Sequence, residues 1–301
     1  MLRLVTYKDA GQLGNCLYRM ANLIAFAREN DFVLYDLGFS KHGYSSCFEA
    51  THRQPLIRYP AFVNLPFNAF FLQKSVRRIF RHLVHYGIVK IPEISDGGKE
   101  YHLDAHTFAD LNLSFASLYG VHFCADALVR KHADYLRTYL VPKRNLLLKV
   151  KTLHEKIKQG AEVTIGVHIR RGDFKEWAGG RFFFPVDTYV RIMREVASYM
   201  DGKTVKFIVF GNGDESVVNS VFNGLDVESV CGSPVEDIYH LSLCDLMIGT
   251  MYSSFSGWAS FWGKVPLLRV RTHDQPAVLD DFRVVEVLND SFEHNEAECN
   301  R

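Results

Sequence analysis

The stretch TIGVHIRRGDF, residues 164–174, changes character along its length. It begins with alternating apolar residues, the pattern of a buried strand, and ends in a histidine, two arginines, a glycine and an aspartate. In a strand, His168 and Arg170 share one face, while Arg171 points the other way or lies in the following loop. The sequence therefore predicts a strand whose end carries a cluster of positive charge.

The chain beyond this stretch alternates helix and strand patterns. Residues 186–200 carry apolar side chains three and four apart, and Asp201 and Gly202 end the pattern as a helix stop. Strands are predicted further along, at 205–210 and at 265–270. Regular alternation of this kind favours a parallel, doubly wound sheet, in which ligands bind at the carboxyl ends of the strands.

The beginning of the chain has the same organisation. A strand pattern at 2–7 leads into a loop with two glycines, Gly11 and Gly14, and then into a helix pattern over 16–30. A second strand pattern follows at 32–37. A strand, loop, helix and strand in this order indicate a second α/β domain.

Length and composition allow two such domains and exclude one class of partner. The chain has 301 residues, of which 48% are hydrophobic, enough to bury two cores. The sequence VPKR at 141–144 is typical of a connection, so we predict an N-terminal domain of residues 1–145 and a C-terminal domain of residues 146–301. The net charge of +1 provides no overall field that attracts nucleic acid, and we expect no nucleic-acid partner.

The cysteines and the apolar runs indicate a cellular setting. The six cysteines are scattered and form no CxxC pair, which is typical of reduced thiols inside the cell, and their even number leaves disulfide pairing as the alternative. No stretch approaches the ~20 apolar residues that a membrane-spanning helix needs, and the N-terminus does not have the pattern of a signal peptide. We therefore expect a cytoplasmic protein.

Residues 51–92 differ from the rest because they hold no Asp or Glu. Basic and aromatic residues interleave there, and such a segment can lie on the anionic inner face of a membrane. A second interpretation places the aromatic residues in the core of the first domain and makes the arginines its solvated or acceptor-binding face. Peripheral membrane contact and acceptor binding are thus the alternatives for this segment.

The charged end of the strand at 164–174 suits a phosphate. Arginine is a permanent cation whose planar fork matches phosphate oxygens, and Asp173 can hold the arginines in place. Ser253 and Ser254 precede another predicted helix, whose positive dipole end also favours an anion. The ordinary alternatives are a structural ion pair for the arginines and a simple helix cap for the serines.

No pattern for a bound metal accompanies these residues. The chain has no GxxxxGK[ST] loop, no GxGxxG that opens a helix after a strand, and no DxD pair of the kind that holds a metal against a diphosphate. Its histidines show no HExxH spacing. We expect no metal site and no cofactor, so that arginines and helix dipoles take the place of a divalent cation.

Three motifs in order resemble one family of transferases. HIRRGDF at 168–174 resembles the HxRRxD motif of α1,2- and α1,6-fucosyltransferases. GQLGNCLYRMANLIAFARE at 11–29 resembles the start of the bacterial α1,2-fucosyltransferases, glycosyltransferase family 11. The stretch that begins at Asp237 and includes YSSFSGWASFWG at 252–263 resembles the third region of that family.

The resemblance implies a fold, a donor and a set of site residues. It implies the GT-B fold, with two Rossmann-like domains facing a cleft, and transfer from GDP-fucose with inversion and without a metal. It places Arg170 at the β-phosphate as a catalytic residue and Asn15 in the cleft as a positioning one. The residues expected to bind the donor come from the glycine loop, the arginine cluster and the third region. They are Gly11, Gly14, His168, Arg171, Asp173, Asp237, Ser253, Ser254 and Phe255.

The predicted function is transfer of L-fucose from GDP-fucose to a hydroxyl, galactose O2, of an oligosaccharide or lipid-linked glycan. Asp9, Asp36 and Glu49 are candidates for the general base, and a solvated surface carboxylate is the competing interpretation of each. Two other functions fit the same residues. One is a related GT-B transferase with a different acceptor or nucleotide sugar, and the other is a nucleotide- or glycan-binding module without catalysis.

Overall fold

The computed structural model describes residues 2–6, 11–36, 39, 44–49, 57–59, 78–79, 81–86, 92–97, 99–109, 115–120, 122–211 and 222–288. The chain forms two compact units, one of Met1–Arg144 with Glu286–Arg301, and one of Asn145–Val285. The division falls one residue before the predicted boundary. The described residues after 285 group with the N-terminal unit, whereas the sequence analysis placed them in the C-terminal domain.

A buried amide joins the returning segment to the first unit. The side chain of Asn22 donates to the carbonyl of Leu288 and accepts the backbone N–H of Ala125, both across 2.8 Å. Asn22 and Leu288 are both buried. One side chain on the first helix therefore fixes two segments that are distant in the sequence, and no local pattern marks such a contact.

The N-terminal unit is built on a five-stranded sheet. Its strand order is β3-β2-β1-β6-β4, in which β3 is antiparallel to β2 and the other pairs are parallel. The strands β5 and β7 form a separate parallel pair. The elements are β1 (Arg3–Thr6), α1 (Leu13–Glu29), β2 (Val33–Asp36), β3 (Ile57–Tyr59), β4 (Glu93–Ser95), β5 (Tyr101–His102), α2 (Ala105–Ala109), β6 (Phe115–Tyr119), β7 (Phe123–Cys124), α3 (Asp126–Lys131) and α4 (Ala133–Tyr139). The predicted opening of strand, loop, helix and strand is confirmed.

The C-terminal unit is built on a second five-stranded sheet, which is parallel throughout. Its strand order is β10-β9-β8-β11-β12. The elements are α5 (Arg144–Lys158), β8 (Val163–Ile169), α6 (Val186–Ser198), β9 (Val205–Gly211), β10 (Val227–Val230), α7 (Pro234–Leu241), β11 (Leu246–Thr250), α8 (Ser254–Gly263) and β12 (Leu267–Val270). This is the doubly wound sheet that the alternating pattern predicted.

A glycine brings α8 against the middle of this sheet. A Cβ at Gly249 would lie only 2.6 Å from Ser256 Oγ and 2.8 Å from Ser256 Cβ. Gly249 is the partner of His168 in the register between β11 and β8. The missing side chain at 249 therefore lets the helix pack directly on the strand beside His168.

Helix lengths and thiols bear on the predicted cellular setting. In the part of the chain that the structure describes, no helix combines the length and the apolar character needed to cross a bilayer. Most of the segment 51–92 lies outside the described residues, so its membrane or acceptor contact stays a prediction. The described cysteines are free thiols: Cys16, Cys47, Cys124, Cys231 and Cys244.

A buried ion pair holds α1 to the end of β2. Arg19 Nη2 lies 3.3 and 3.2 Å from the two carboxylate oxygens of Asp36, and both side chains are almost fully buried. Asp36 Oδ1 also accepts the backbone N–H of Phe39 at 3.0 Å. Removing one partner of such a pair leaves the other charge buried without compensation, which is strongly unfavourable.

Asp36→Ala tests this pair. We expect the substitution to lower the free energy of unfolding by about 3–5 kcal/mol, because it leaves the Arg19 guanidinium buried without its carboxylate. Urea denaturation followed by circular dichroism measures the loss. Glu228→Ala, which removes an exposed carboxylate from β10, is the matched control and should change the free energy by less than about 0.5 kcal/mol. Equal losses in the two variants would contradict the role assigned to the pair.

Candidate functional site

Two loops lie side by side where the order of the C-terminal sheet reverses. From β8 the order continues to β9 and β10 on one side, and to β11 and β12 on the other. In such sheets a ligand binds outside the carboxyl ends of the two strands at the reversal, which here are β8 and β11. The loop after β8 begins with Arg170, and the loop after β11 carries Ser253 to the start of α8. Two of the predicted motifs therefore meet at one edge of one sheet.

His168 contacts the second of these motifs directly. Its Nδ1 lies 3.4 Å from Ser253 Oγ, and its ring stacks on Phe255 with the centroids 4.7 Å apart. Burial of the ring, together with the charge of Arg170, lowers the pKa of His168 to about 3. His168 is therefore a neutral imidazole at physiological pH, and it takes part in hydrogen bonds without adding positive charge.

Arg170 is held both at its backbone and at its guanidinium. Its backbone N–H donates to Thr250 Oγ1 at the end of β11 across 3.3 Å, and its Nη2 donates to Asp173 Oδ1 across 2.7 Å. The guanidinium carbon lies 5.3 Å from the ring centroid of Phe174. Gly172 has a positive φ of 59°, a value that glycine adopts without strain in a loop this tight. The predicted contact between Asp173 and an arginine is thus present, and it fixes a permanent cation at the end of β8.

Two residues of this arrangement were missed by the sequence analysis. The hydroxyl of Tyr189 on α6 lies 2.6 Å from Thr250 Oγ1, and both residues are buried. Burial raises the pKa of Tyr189, so its hydroxyl keeps its proton. Thr250 thus joins Tyr189 to the backbone of Arg170. Little in the sequence marks this link, because Thr250 ends an ordinary strand and Tyr189 occupies an apolar position of a helix.

Arg171 has different surroundings from Arg170. Its guanidinium carbon lies over Phe183, 4.4 Å from the ring centroid. Its charge also acts on Tyr189, where it opposes the rise in pKa that burial causes. The two neighbouring arginines, of which Arg171 was predicted on the other face or in the loop, therefore have different partners.

Asp237 lies at the same edge of the sheet but further out. It belongs to the first turn of α7, after the edge strand β10, and its Oδ1 accepts the backbone N–H of Gly232 at 2.8 Å. Burial raises the pKa of Asp237 to about 6. A capping box between Ser233 and Glu236 secures this turn. The strand β9 separates β10 from β8, so the described contacts hold Asp237 in its own loop and do not join it to His168.

The remaining predicted residues belong to the N-terminal unit. Gly11 has a positive φ of 78°, and a Cβ there would lie 3.3 Å from Asn15 Nδ2. Asn15 is exposed in the first turn of α1, and Gly14 beside it is buried. Glycine at position 11 therefore allows the positive φ of the turn and leaves room for the side-chain amide of Asn15.

The three carboxylates considered as general bases have unequal surroundings. Asp36 is committed to the buried pair with Arg19, which makes its carboxylate inaccessible to an acceptor. Glu49 is exposed, and its Oε1 accepts the backbone N–H of Arg144 at 2.9 Å. Asp9 lies outside the described residues. Asp36 is therefore structural, contrary to its candidacy as a base.

The chemistry of this edge suits an anion. Two permanent cations, Arg170 and Arg171, follow β8, and the positive end of α8 follows β11. Within the described ranges, no three His, Cys, Asp or Glu side chains gather closely enough to hold a metal ion. The positive charge that the described residues supply thus comes from guanidinium groups and a helix end.

A family model and several solved structures resemble this chain. Residues 133–274 match the model of glycosyl transferase family 11. The structure is similar to that of Arabidopsis thaliana FUT1, solved as a mutant in complex with GDP, with a TM-score of 0.60 and 15% identity over 94% of this chain and 74% of that one. It is also similar to NodZ of Bradyrhizobium, an α-1,6-fucosyltransferase soaked with GDP-fucose, with a TM-score of 0.55 and 15% identity over 94% of this chain and 97% of that one. Among curated proteins no sequence matches significantly.

These similarities settle the fold and the family resemblance. The chain has the mixed α/β fold of GT-B fucosyltransferases, as predicted. The segment 133–274 includes β8, β11, α8 and the residues around Arg170. The resemblance to glycosyltransferase family 11 is confirmed over this segment, which includes the loops after β8 and β11.

Proposed function

We propose that this protein is an inverting fucosyltransferase that moves L-fucose from GDP-fucose to galactose O2 of an oligosaccharide or lipid-linked glycan. The observation that carries the proposal is the immobilised guanidinium of Arg170 at the strand reversal, next to His168 and the start of α8. The family match and the likeness in fold to fucosyltransferases solved with GDP and GDP-fucose support this choice of donor.

Arg170 acts on the leaving group. In an inverting transfer the acceptor hydroxyl bonds to the sugar carbon while the bond from that carbon to the β-phosphate oxygen breaks, so GDP takes the electron pair. Negative charge on the β-phosphate therefore grows towards the transition state. A guanidinium already held by Asp173, on a backbone anchored to the Thr250 hydroxyl, binds that charge without reorganising, and so favours the transition state over the ground state.

The neighbouring side chains bind the rest of the diphosphate. Ser253 and Ser254 stand at the positive end of α8. His168 is a neutral hydrogen-bonding group that contacts the Ser253 hydroxyl and stacks on Phe255. Arg171 adds a second permanent charge. Because His168 is uncharged well above pH 3, the binding of phosphate does not depend on its titration near neutral pH.

Asp237 selects the nucleoside, and the residues at the start of α1 serve the acceptor. An ionised Asp237 accepts hydrogen bonds from the N1–H and exocyclic amine of guanine, an edge that adenine does not present. Gly11 and Gly14 allow close backbone approach at the start of α1, and Asn15 positions the acceptor. An amide is not a strong base, so the proton of the acceptor hydroxyl leaves to another group or to water.

Arg170→Ala tests the proposal. We expect kcat for transfer from GDP-fucose to fall by about 10²–10³, because the charge on the leaving β-phosphate loses its partner. Arg170→Lys should also be slow, since a point charge does not reproduce the planar fork. Arg194→Ala, on the exposed side of α6, is the matched control and should retain full turnover.

Circular dichroism of both variants separates loss of catalysis from loss of fold. Near-normal turnover by a folded Arg170→Ala protein would refute the assignment. A wild-type protein that binds GDP-fucose but releases no GDP, with or without acceptor, would identify a nucleotide-binding module instead.

The carboxyl of Asp237 predicts a pH-dependent choice of nucleotide. At pH 7.5 GDP should raise the melting temperature more than ADP at equal concentration, because only a ligand bound to the folded state stabilises it. Below a pH of about 6 the carboxyl gains its proton and the advantage of GDP should shrink, while the phosphates of the two nucleotides titrate alike. Asp237→Asn should show the smaller difference already at pH 7.5, with no further change on acidification. A preference for GDP that is equal at pH 5 and pH 7.5 would remove the role given to Asp237.

Transfer is proposed to need no metal, because arginines and the end of α8 supply the positive charge. We therefore expect unchanged initial rates in excess EDTA. The measurement is made on wild-type protein with GDP-fucose and a galactoside, before and after dialysis against the chelator. A large loss that Mg²⁺ or Mn²⁺ restores would overturn this part of the mechanism.

A further inference from the structure

Four aromatic rings gather on the loops that follow β8 and β11. Phe174 and Trp177 stack with their centroids 4.9 Å apart, and Tyr252 meets Phe182 edge to face at 4.8 Å. Trp177 joins the two pairs, since it lies 5.8 Å from Phe182 and 5.9 Å from Tyr252. We call these four residues the aromatic cluster.

One member of the aromatic cluster is open to solvent. Phe174, Phe182 and Tyr252 are no more than 7% exposed, whereas Trp177 is 37% exposed. The residues that precede it, Lys175 and Glu176, are also exposed. Three buried rings thus support a fourth, which presents apolar surface beside charged groups.

The backbone around Trp177 adopts conformations that are uncommon outside glycine. Ala178, directly after the tryptophan, has a φ of 49°, and Gly179 and Gly180 continue with 65° and 77°. Tyr252 on the other loop has a φ of 60°. A side chain at such angles is strained, and strain of this kind is kept where the surroundings hold a functional arrangement. Two strained residues therefore flank a single exposed indole.

Trp177 is also close to the guanidinium that the proposed mechanism uses. Arg170 lies 5.3 Å from the ring of Phe174, and Phe174 lies 4.9 Å from the ring of Trp177. The indole and the cation thus share one phenyl ring as a neighbour. Phe174 couples the placement of the two groups, because it contacts both.

We propose that Trp177 is the stacking platform for the acceptor sugar, a pyranose whose C–H face packs on the exposed indole. This assignment rests on the proposed transfer of fucose. A pyranose has one face rich in C–H groups and a rim of hydroxyls, and an indole supported from behind by Phe174 provides the matching apolar plane. The side chains of Lys175 and Glu176 lie at the edge of that plane, where hydroxyls need partners.

The acceptor, rather than the donor, is the sugar that this position favours. The donor sugar is tied to its β-phosphate and therefore lies next to Arg170. In an inverting step the acceptor hydroxyl approaches the sugar carbon from the side opposite to the phosphate, so the acceptor ring lies beyond the donor sugar. Because Phe174 contacts both the guanidinium and the indole, the platform lies near the group that binds the donor phosphate.

Trp177→Ala and Trp177→Phe are compared with wild type in two assays. The first is the ratio of fucosyl transfer to hydrolysis of GDP-fucose, with lactose and N-acetyllactosamine as acceptors. The second is the change in tryptophan emission when each acceptor is added to the GDP complex. Tyr199→Ala, which removes an exposed aromatic ring just past the far end of α6, is the matched control.

We expect Trp177→Ala to lower the ratio of transfer to hydrolysis by about three- to tenfold, mainly through a higher acceptor KM. Trp177→Phe should keep most of this ratio but lose the emission change, since the other two tryptophans lie on α8. Tyr199→Ala should match wild type in both assays. A Trp177→Ala protein with an unchanged ratio, or a wild-type emission that neither acceptor alters, would overturn the assignment.

The thermal shift with GDP separates this outcome from failure of the proposed function. Stabilisation by GDP in every variant, together with an unchanged ratio, refutes the platform alone. Absence of GDP stabilisation in the wild type would refute the donor assignment on which the platform depends.

Discussion

The pairing of β8 with β11 is the constraint on which the site depends. These strands are adjacent in space but some 80 residues apart in the chain, and their register sets His168 opposite Gly249. Beyond the last paired residues of the two strands, the backbone N–H of Arg170 donates to the hydroxyl of Thr250. This hydrogen bond extends the contact between β8 and β11. A shift of one residue in this register would turn His168 and Arg170 to the other face of the sheet and separate them from Ser253.

Charge around the ends of β8 and β11 is arranged so that it does not change with pH near neutrality. The protein buries an imidazole between a hydroxyl and a phenyl ring, and burial keeps that imidazole uncharged. The positive charge is left to two guanidinium groups, which stay protonated at any physiological pH. Asp237, whose pKa of about 6 lies within reach of neutral pH, follows the outer strand β10 and is separated from β8 by β9.

The sequence predicted those parts of the structure that depend on local pattern. Apolar alternation ending in HIRRGDF located β8, and helical spacing located α6. Parallel pairing then placed the ends of β8 and β11 together, because carboxyl ends of parallel strands share one edge.

The link from Tyr189 through Thr250 escaped prediction, since neither residue departs from what a helix core or a strand end usually contains. The aromatic cluster escaped it as well, because the positive φ of Ala178 and Tyr252 follows from packing and not from residue type. The return of the chain to the first unit is made by long-range contacts, such as the hydrogen bond from Asn22 to Leu288 and the ion pair of Arg130 with Glu286, for which sequence spacing gives no signal.

That return has a consequence for how the protein is made. A ribosome releases the chain from its N-terminus, and domains commonly fold in the order in which they emerge. Here the buried carbonyl of Leu288 completes the hydrogen bonding of Asn22 on α1, so the N-terminal unit cannot reach its final form until the entire C-terminal unit has been synthesised. The first unit to emerge is therefore the last to be finished, and until then the Asn22 amide has only its partners within that unit, Tyr18 and Ala125.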